Sequence, residues 1–134
     1  MRGVHVNSED FVASVRDRGE YQSAAEAQQA ATAVLEVLAE RITRGEAKDV
    51  AAQLPNPFKS AALPRDAEPA ESFGVQEFCR RVAERTGAHE QTAEWDASAV
   101  LSTVADAVPR GQLTEMLSRL PAGYASLFGK PEPA

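Results

Sequence analysis

Ala27, Ala31, Val34, Leu35, Leu38 and Ile42 are spaced three and four residues apart, the spacing that places apolar side chains on one face of an α-helix. The same series returns at a constant offset as Ala93, Ala97, Val100, Leu101, Val104 and Val108. One helical unit is therefore written twice.

The flanking segments repeat as well. Asn7 and Ser8 are good N-cap residues, and Glu9 and Asp10 follow at the positive end of the helix dipole. Phe11, Val12 and Val15 form the apolar stripe of a first helix that stops at Gly19. Ser23 with Glu26 has the capping-box spacing and opens a long helix to about Thr43. Thr43 and Glu46 repeat that spacing before a short third helix with Ala47, Val50, Ala51 and Leu54 on one face. Pro55 ends it, because proline lacks an N–H and disfavours helix in the preceding residue. Phe58 is expected to fold back onto the unit.

Pro64 and Pro69 stand among Ala, Asp and Glu, so the stretch from Lys59 to Glu71 reads as an extended connector. Beyond it, Phe78, Cys79 and Val82 answer Phe11, Val12 and Val15, and Gly87 answers Gly19. Leu113, Met116, Leu117 and Leu120 answer the third helix, Pro121 answers Pro55, and Tyr124 answers Phe58. A short extra turn is expected at Gly123 to Phe128, and Gly129 to Ala134 reads as frayed.

The expected fold is all-α: a compact bundle of six main helices, formed by two three-helix repeats related by a pseudo-two-fold axis. Residues 1–134 form one domain, with repeat 1 at 7–58, the linker at 59–71 and repeat 2 at 72–128. A half of about 60 residues would be marginal alone, so a shared core is expected. The second unit carries larger apolar residues in its third helix. At roughly 0.8 kcal/mol per buried methylene, it is expected to bury several kcal/mol more than the first.

The formal net charge is −6, with no basic arm to supply the counterion-release affinity that nucleic-acid binding draws on. Nucleic acid is disfavoured as a partner, and so is an anionic membrane. No run of about 18 apolar residues occurs, and Met1 to Asn7 holds no apolar stretch of signal-peptide length. A cytoplasmic location is expected. Cys79 is the only cysteine, which excludes an internal disulfide. Abundant Ala, and Arg in excess of Lys, fit the coding bias of a GC-rich bacterial genome.

Taken together, Phe11 to Phe58 and Phe78 to Tyr124, with the Val34-Leu35 and Val100-Leu101 pairs and the two Leu-Pro ends, resemble the bacterial domain-of-unknown-function family 2267. The resemblance implies an all-helical tandem-repeat fold. It carries no catalytic residue to transfer.

Few residues offer chemistry. His5 lies near the start, and His89 has no second His or Cys at ligand spacing, so it reads as a solvated surface residue. Cys79 reads as a small buried hydrophobe, since a reactive thiolate would need exposure and a cationic neighbour. Arg80, Arg81 and Arg85 are the nearest approach to a basic patch. Glu77 and Glu84 stand at pairing distance along the helix, so the patch reads as partly self-neutralised, with Arg81 and Arg85 as the candidate anion contacts. Glu36, Glu40 and Arg44 read as a solvent-facing charge ladder. Trp95 falls nearly opposite the apolar stripe of its own helix. Either the linker or the other repeat covers it, or it anchors a partner.

These residues lead to a non-enzymatic protein-protein interaction module, with Trp95, Arg81 and Arg85 as partner-binding residues. No catalytic residue, cofactor or metal site is expected, the protein partner is unknown, and a homodimer is left open. Two rivals stand beside it. One is a helix-turn-helix-like nucleic-acid binder reading through Gln112 to Arg119. The other is a small-ligand binder or enzyme with an apolar pocket between the repeats.

Overall fold

The computed structural model describes residues 7–63 and 70–131, so His5, Pro64, Pro69 and the residues past 131 lie outside them. Helices α1 (Ser8–Gly19), α2 (Ala24–Arg41), α3 (Arg44–Ala52) and α4 (Phe58–Ala62) make the first half. Helices α5 (Val75–Thr86), α6 (Glu90–Ala107), α7 (Arg110–Ser118) and α8 (Tyr124–Leu127) make the second. No strand occurs among the described residues, and the fold is all-helical.

The helix starts follow local chemistry. The Asn7 side chain accepts from Asp10 N–H at 2.8 Å, and Ser23 Oγ accepts from Glu26 N–H at 3.2 Å. At α3 the capping box is complete: Thr43 Oγ1 accepts from Glu46 N–H, and Glu46 Oε1 accepts from Thr43 N–H. Helix α7, by contrast, begins after Pro109 with no side-chain cap.

Helices α2 and α6 are the two long inner rods and pack on each other. In addition α2 packs against α1, α4 and α5, while α6 packs against α1, α5 and α8. A helix with that many neighbours must be apolar over a wide arc, which explains why Ala30, Ala33 and Val37 are buried beside the expected stripe of α2. Alanine at these positions lets the rods approach closely. The large residues sit around them. Phe11 packs on Phe58 at 4.8 Å between ring centroids with the planes tilted by 41°, and Phe78 meets Tyr124 edge-on at 5.8 Å. Fully burying each such ring contributes roughly 1.5–3 kcal/mol.

The two glycines that close α1 and α5 serve different needs. Gly87 follows α5 in the left-handed region at φ 77°, where a side chain would be strained. After α1 that conformation falls to Glu20, at φ 54°. Gly19 instead lets the Tyr21 ring fold across it, since a Cβ there would stand 2.1 Å from that ring.

Three expectations need correction. The connector is not extended from Lys59, because Phe58, Ala61 and Ala62 share a face, lie buried and form α4. The extra turn expected at Gly123 to Phe128 does form, as α8, and with α4 it brings the described helices to eight where six main helices were expected. The third helix of the second unit is also covered less completely than its larger apolar residues led us to expect. Ala47, Val50, Ala51 and Leu54 are all buried, whereas Leu117 and Leu120 remain partly exposed. The reason is packing: α4 closes tightly on α3, and no helix closes on α7 to the same degree.

Candidate ligand-binding groove

The basic residues of α5 are held by carboxylates. Arg81 reaches Glu77 on its own helix, Glu40 on α2 and Glu71 before α5, at 2.9–3.0 Å. Its guanidinium lies 4.1 Å from the centroid of the Phe73 ring, and its side chain is only 19% exposed. Arg85 pairs with Glu36 at 3.4 Å and with Glu40 at 2.5 Å, and Arg80 with Glu77 and Glu84. The expected helical pairs thus form, but they are joined by carboxylates distant in sequence. Glu36 and Glu40 are not a solvent-facing ladder; they look onto α5, because α5 packs on that side of α2.

This network fastens residues 71–73 onto the core. Glu71 N–H donates to Glu40 O at 3.0 Å, Arg41 Nε donates to Phe73 O at 2.6 Å, and Tyr124 Oη donates to the same carbonyl at 2.8 Å. Burial pushes the Tyr124 hydroxyl up to about 12, which keeps it a neutral donor. Arg80 and Arg81 hold Glu77 down at about 2, and Arg81 holds Glu71 below the ordinary carboxylate value.

Trp95 is 51% exposed, at the border between α6 and the end of α1. Its indole Nε1 donates to Gly19 O at 2.8 Å, so one edge is tied to the first half while a face stays open. Beside it lies a polar cluster that the sequence did not reveal. Tyr21 Oη donates to buried Asp96 at 2.5 Å, and Arg18 donates to Thr103 Oγ1 at 3.0 Å and pairs with Asp106. Burial raises the Asp96 carboxyl, against the smaller lowering effect of the Tyr21 hydrogen bond. The missed signal was Asp96 and Thr103 on the apolar flank of α6.

The remaining candidates are quieter. Cys79 is buried, and burial, aided by Glu94 and Glu90, pushes its thiol up to about 11. His89 is exposed as the residue before α6. Arg119, the single cation of the Gln112–Arg119 segment, is engaged by Glu46 and Glu115. The cleft between α3 and α7, which does lie between the halves, holds about 210 Å³ and is lined largely by polar residues such as Glu46, Asp49 and Glu115. It is not the apolar inter-repeat pocket of the ligand-binding alternative.

A larger cavity lies wholly in the second half. About 820 Å³ opens between the end of α6, one side of α7, and α8 with the residues after it. Val108, Leu113, Leu117, Leu120 and Ala125 give it apolar walls. This is the space that the loose packing on α7 leaves, and it explains why the extra leucines of that helix are only partly covered. Arg110, Lys130 and Asp106 stand among the lining residues, with the hydroxyls of Thr114 and Ser118. Asp106 is already paired with Arg18, and Ser118 Oγ donates to Glu115 O. No histidine or cysteine lines the cavity. Volume and lining match those of small-molecule sites, which are mainly apolar concavities of about 300–1,000 Å³ with a few polar groups.

Comparison with protein families gives a match over most of the chain. The family model described as an uncharacterized conserved protein, DUF2267, covers residues 8–127. No curated protein matches the chain.

Proposed function

The chain belongs to the DUF2267 family of uncharacterized conserved proteins, and we propose that it works as a non-enzymatic binding module whose recognition surface is the groove between α6, α7 and α8. The observation that carries this reading is the 820 Å³ apolar cavity opened by α7. Folded chains close such space when they can, because apolar surface left in water forfeits about 25 cal/mol per Å². The one carboxylate of the lining, Asp106, is held by Arg18, and Ser118 Oγ is committed to Glu115 O, which favours binding over bond-making.

The scaffold of this module is a duplicated unit with an approximate two-fold relation. In support, α1, α2 and α3 match α5, α6 and α7 in length at 12, 18 and 9 residues. The packing of α1 on α6 is matched by that of α5 on α2. Duplication then lets one copy diverge: in the first, α4 packs onto α3, and in the second the equivalent space is the binding surface.

A second reading follows from Trp95, whose open indole face suits a protein partner or a second copy of the chain. It adds a contact surface to the module and does not replace the groove.

The test is titration with Nile red, an uncharged dye that brightens in apolar surroundings. The parent chain is expected to take it up saturably, and Ala122→Trp, which plants an indole at the exposed rim, to lose that uptake while keeping the parent's helical signal. Absence of saturable uptake by the parent would remove the groove as the recognition surface.

A further inference from the structure

We infer that the ligand of the α6–α7–α8 groove is a single-chain amphiphile with an anionic head, a long-chain carboxylate being the simplest of that class. The inference rests on the groove being the binding surface, and it names what the groove selects.

The first argument is charge. The chain carries a net charge of −6, and the arginines of α1 and α5 that reach across helices are held by carboxylates. Arg110 and Lys130 differ: both line the groove, both are exposed, and neither pairs with a carboxylate among the described residues. The one carboxylate in the lining, Asp106, is committed to Arg18. The Lys130 main chain is tied to α8, its backbone N–H donating to Ala125 O at 2.9 Å, which keeps the residue at the groove. An apolar floor with two unmatched cations at its edge fits an apolar body ending in a negative charge.

The second argument is size. The nine residues of α7 span about 14 Å. A stable protein interface covers about 800 Å² on each partner, more than a groove of that length offers. A single alkyl chain fits inside 820 Å³.

The experiment displaces Nile red from the parent chain with decanoate and with decanol, below micelle-forming concentrations and at low ionic strength. Decanoate is expected to displace the dye at about tenfold lower concentration, the size of one charge-assisted contact. In the double variant Arg110→Glu with Lys130→Glu that advantage should vanish while decanol is unaffected. Equal potency of the two compounds, or an advantage that survives the double variant, would overturn the anionic-head assignment and leave the groove standing. Failure of both to displace bound dye would overturn it too. Failure of the dye itself to bind would instead strike the groove reading.

Discussion

Arg85 and Glu40 meet across α5 and α2 at 2.5 Å, each the penultimate residue of its helix. Arg18 and Asp106 meet across α1 and α6 from the same penultimate positions. Each arginine caps a helix end with positive charge, where the last carbonyls carry the negative end of the dipole. The pairing then ties an outer helix of one half to the inner rod of the other.

Arg81 is the stronger fastener of the two on α5, and stability measurements should separate them. It is nearly covered and engages three carboxylates, so Arg81→Leu takes the guanidinium from Glu71 and leaves Glu40 and Glu77 with only Arg85 and Arg80. A loss of about 1–3 kcal/mol in urea titration is expected. Arg85→Leu should cost under about 1 kcal/mol, because its own side chain is more open to solvent and engages two carboxylates, not three. Arg81→Lys should recover only part of the loss, since an ammonium cannot make the forked contacts.

The acid response has two opposing parts. Arg80 and then Arg81 lower Glu77 from 4.5 to about 2, so its pairing stabilises the fold above pH 4.5 and is lost as the pH falls toward 2. Glu77→Gln should therefore lower the melting temperature at pH 7 and leave it unchanged near pH 2. Asp96 runs the other way. Burial raises its carboxyl above 3.8, so the folded state holds that proton longer and stability drops as the pH rises through the folded value. Asp96→Asn keeps an acceptor for Tyr21 and removes the buried charge, and should melt no lower than the parent at pH 7. A clear drop there would mean that the charge itself is needed.

Gly19 and Tyr21 should fail additivity. A Cβ on Gly19 forces the Tyr21 ring aside, and that ring is tied to Asp96, so Gly19→Ala breaks a half-buried hydrogen bond as well as packing. A cost of about 1–3 kcal/mol is expected. In the Tyr21→Ala background the same substitution meets no ring and should cost almost nothing. Equal costs in the two backgrounds, read from denaturant midpoints in a double-mutant cycle, would show that the ring is not what reserves the position for glycine.

The helices were legible because caps and apolar spacing are local. Asn7, Ser23, Thr43, Pro55 and Pro121 mark boundaries within a turn of their own position, and the stripes of α2 and α6 carry the core directly. What the sequence concealed was always a matter of distant neighbours. Glu36 and Glu40 read as solvent-facing because their partners stand on α5, and Asp96 read as ordinary because Tyr21 arrives from α1. Trp95 stands off the stripe of its own helix, as its spacing indicates, yet the Gly19 carbonyl that holds it comes from the other half of the chain. The groove was hidden most deeply, since large leucines in α7 signal burial, and only the spacing of α7 from its surroundings shows that burial to be incomplete.

That incompleteness makes the side chains of α7 unequal in a measurable way. Met116 is almost fully buried, and truncation to Ala should cost about 2–5 kcal/mol. Leu117 faces the groove and is already partly in water, so Leu117→Ala gives up less and leaves no sealed void; about 1 kcal/mol is expected. Saturating the groove with ligand should widen the gap between parent and Leu117→Ala, because the ligand covers the leucine in the folded state and adds binding energy that the truncated wall forfeits. Thermal melts with and without ligand check this: a gap that stays constant would place the ligand away from Leu117.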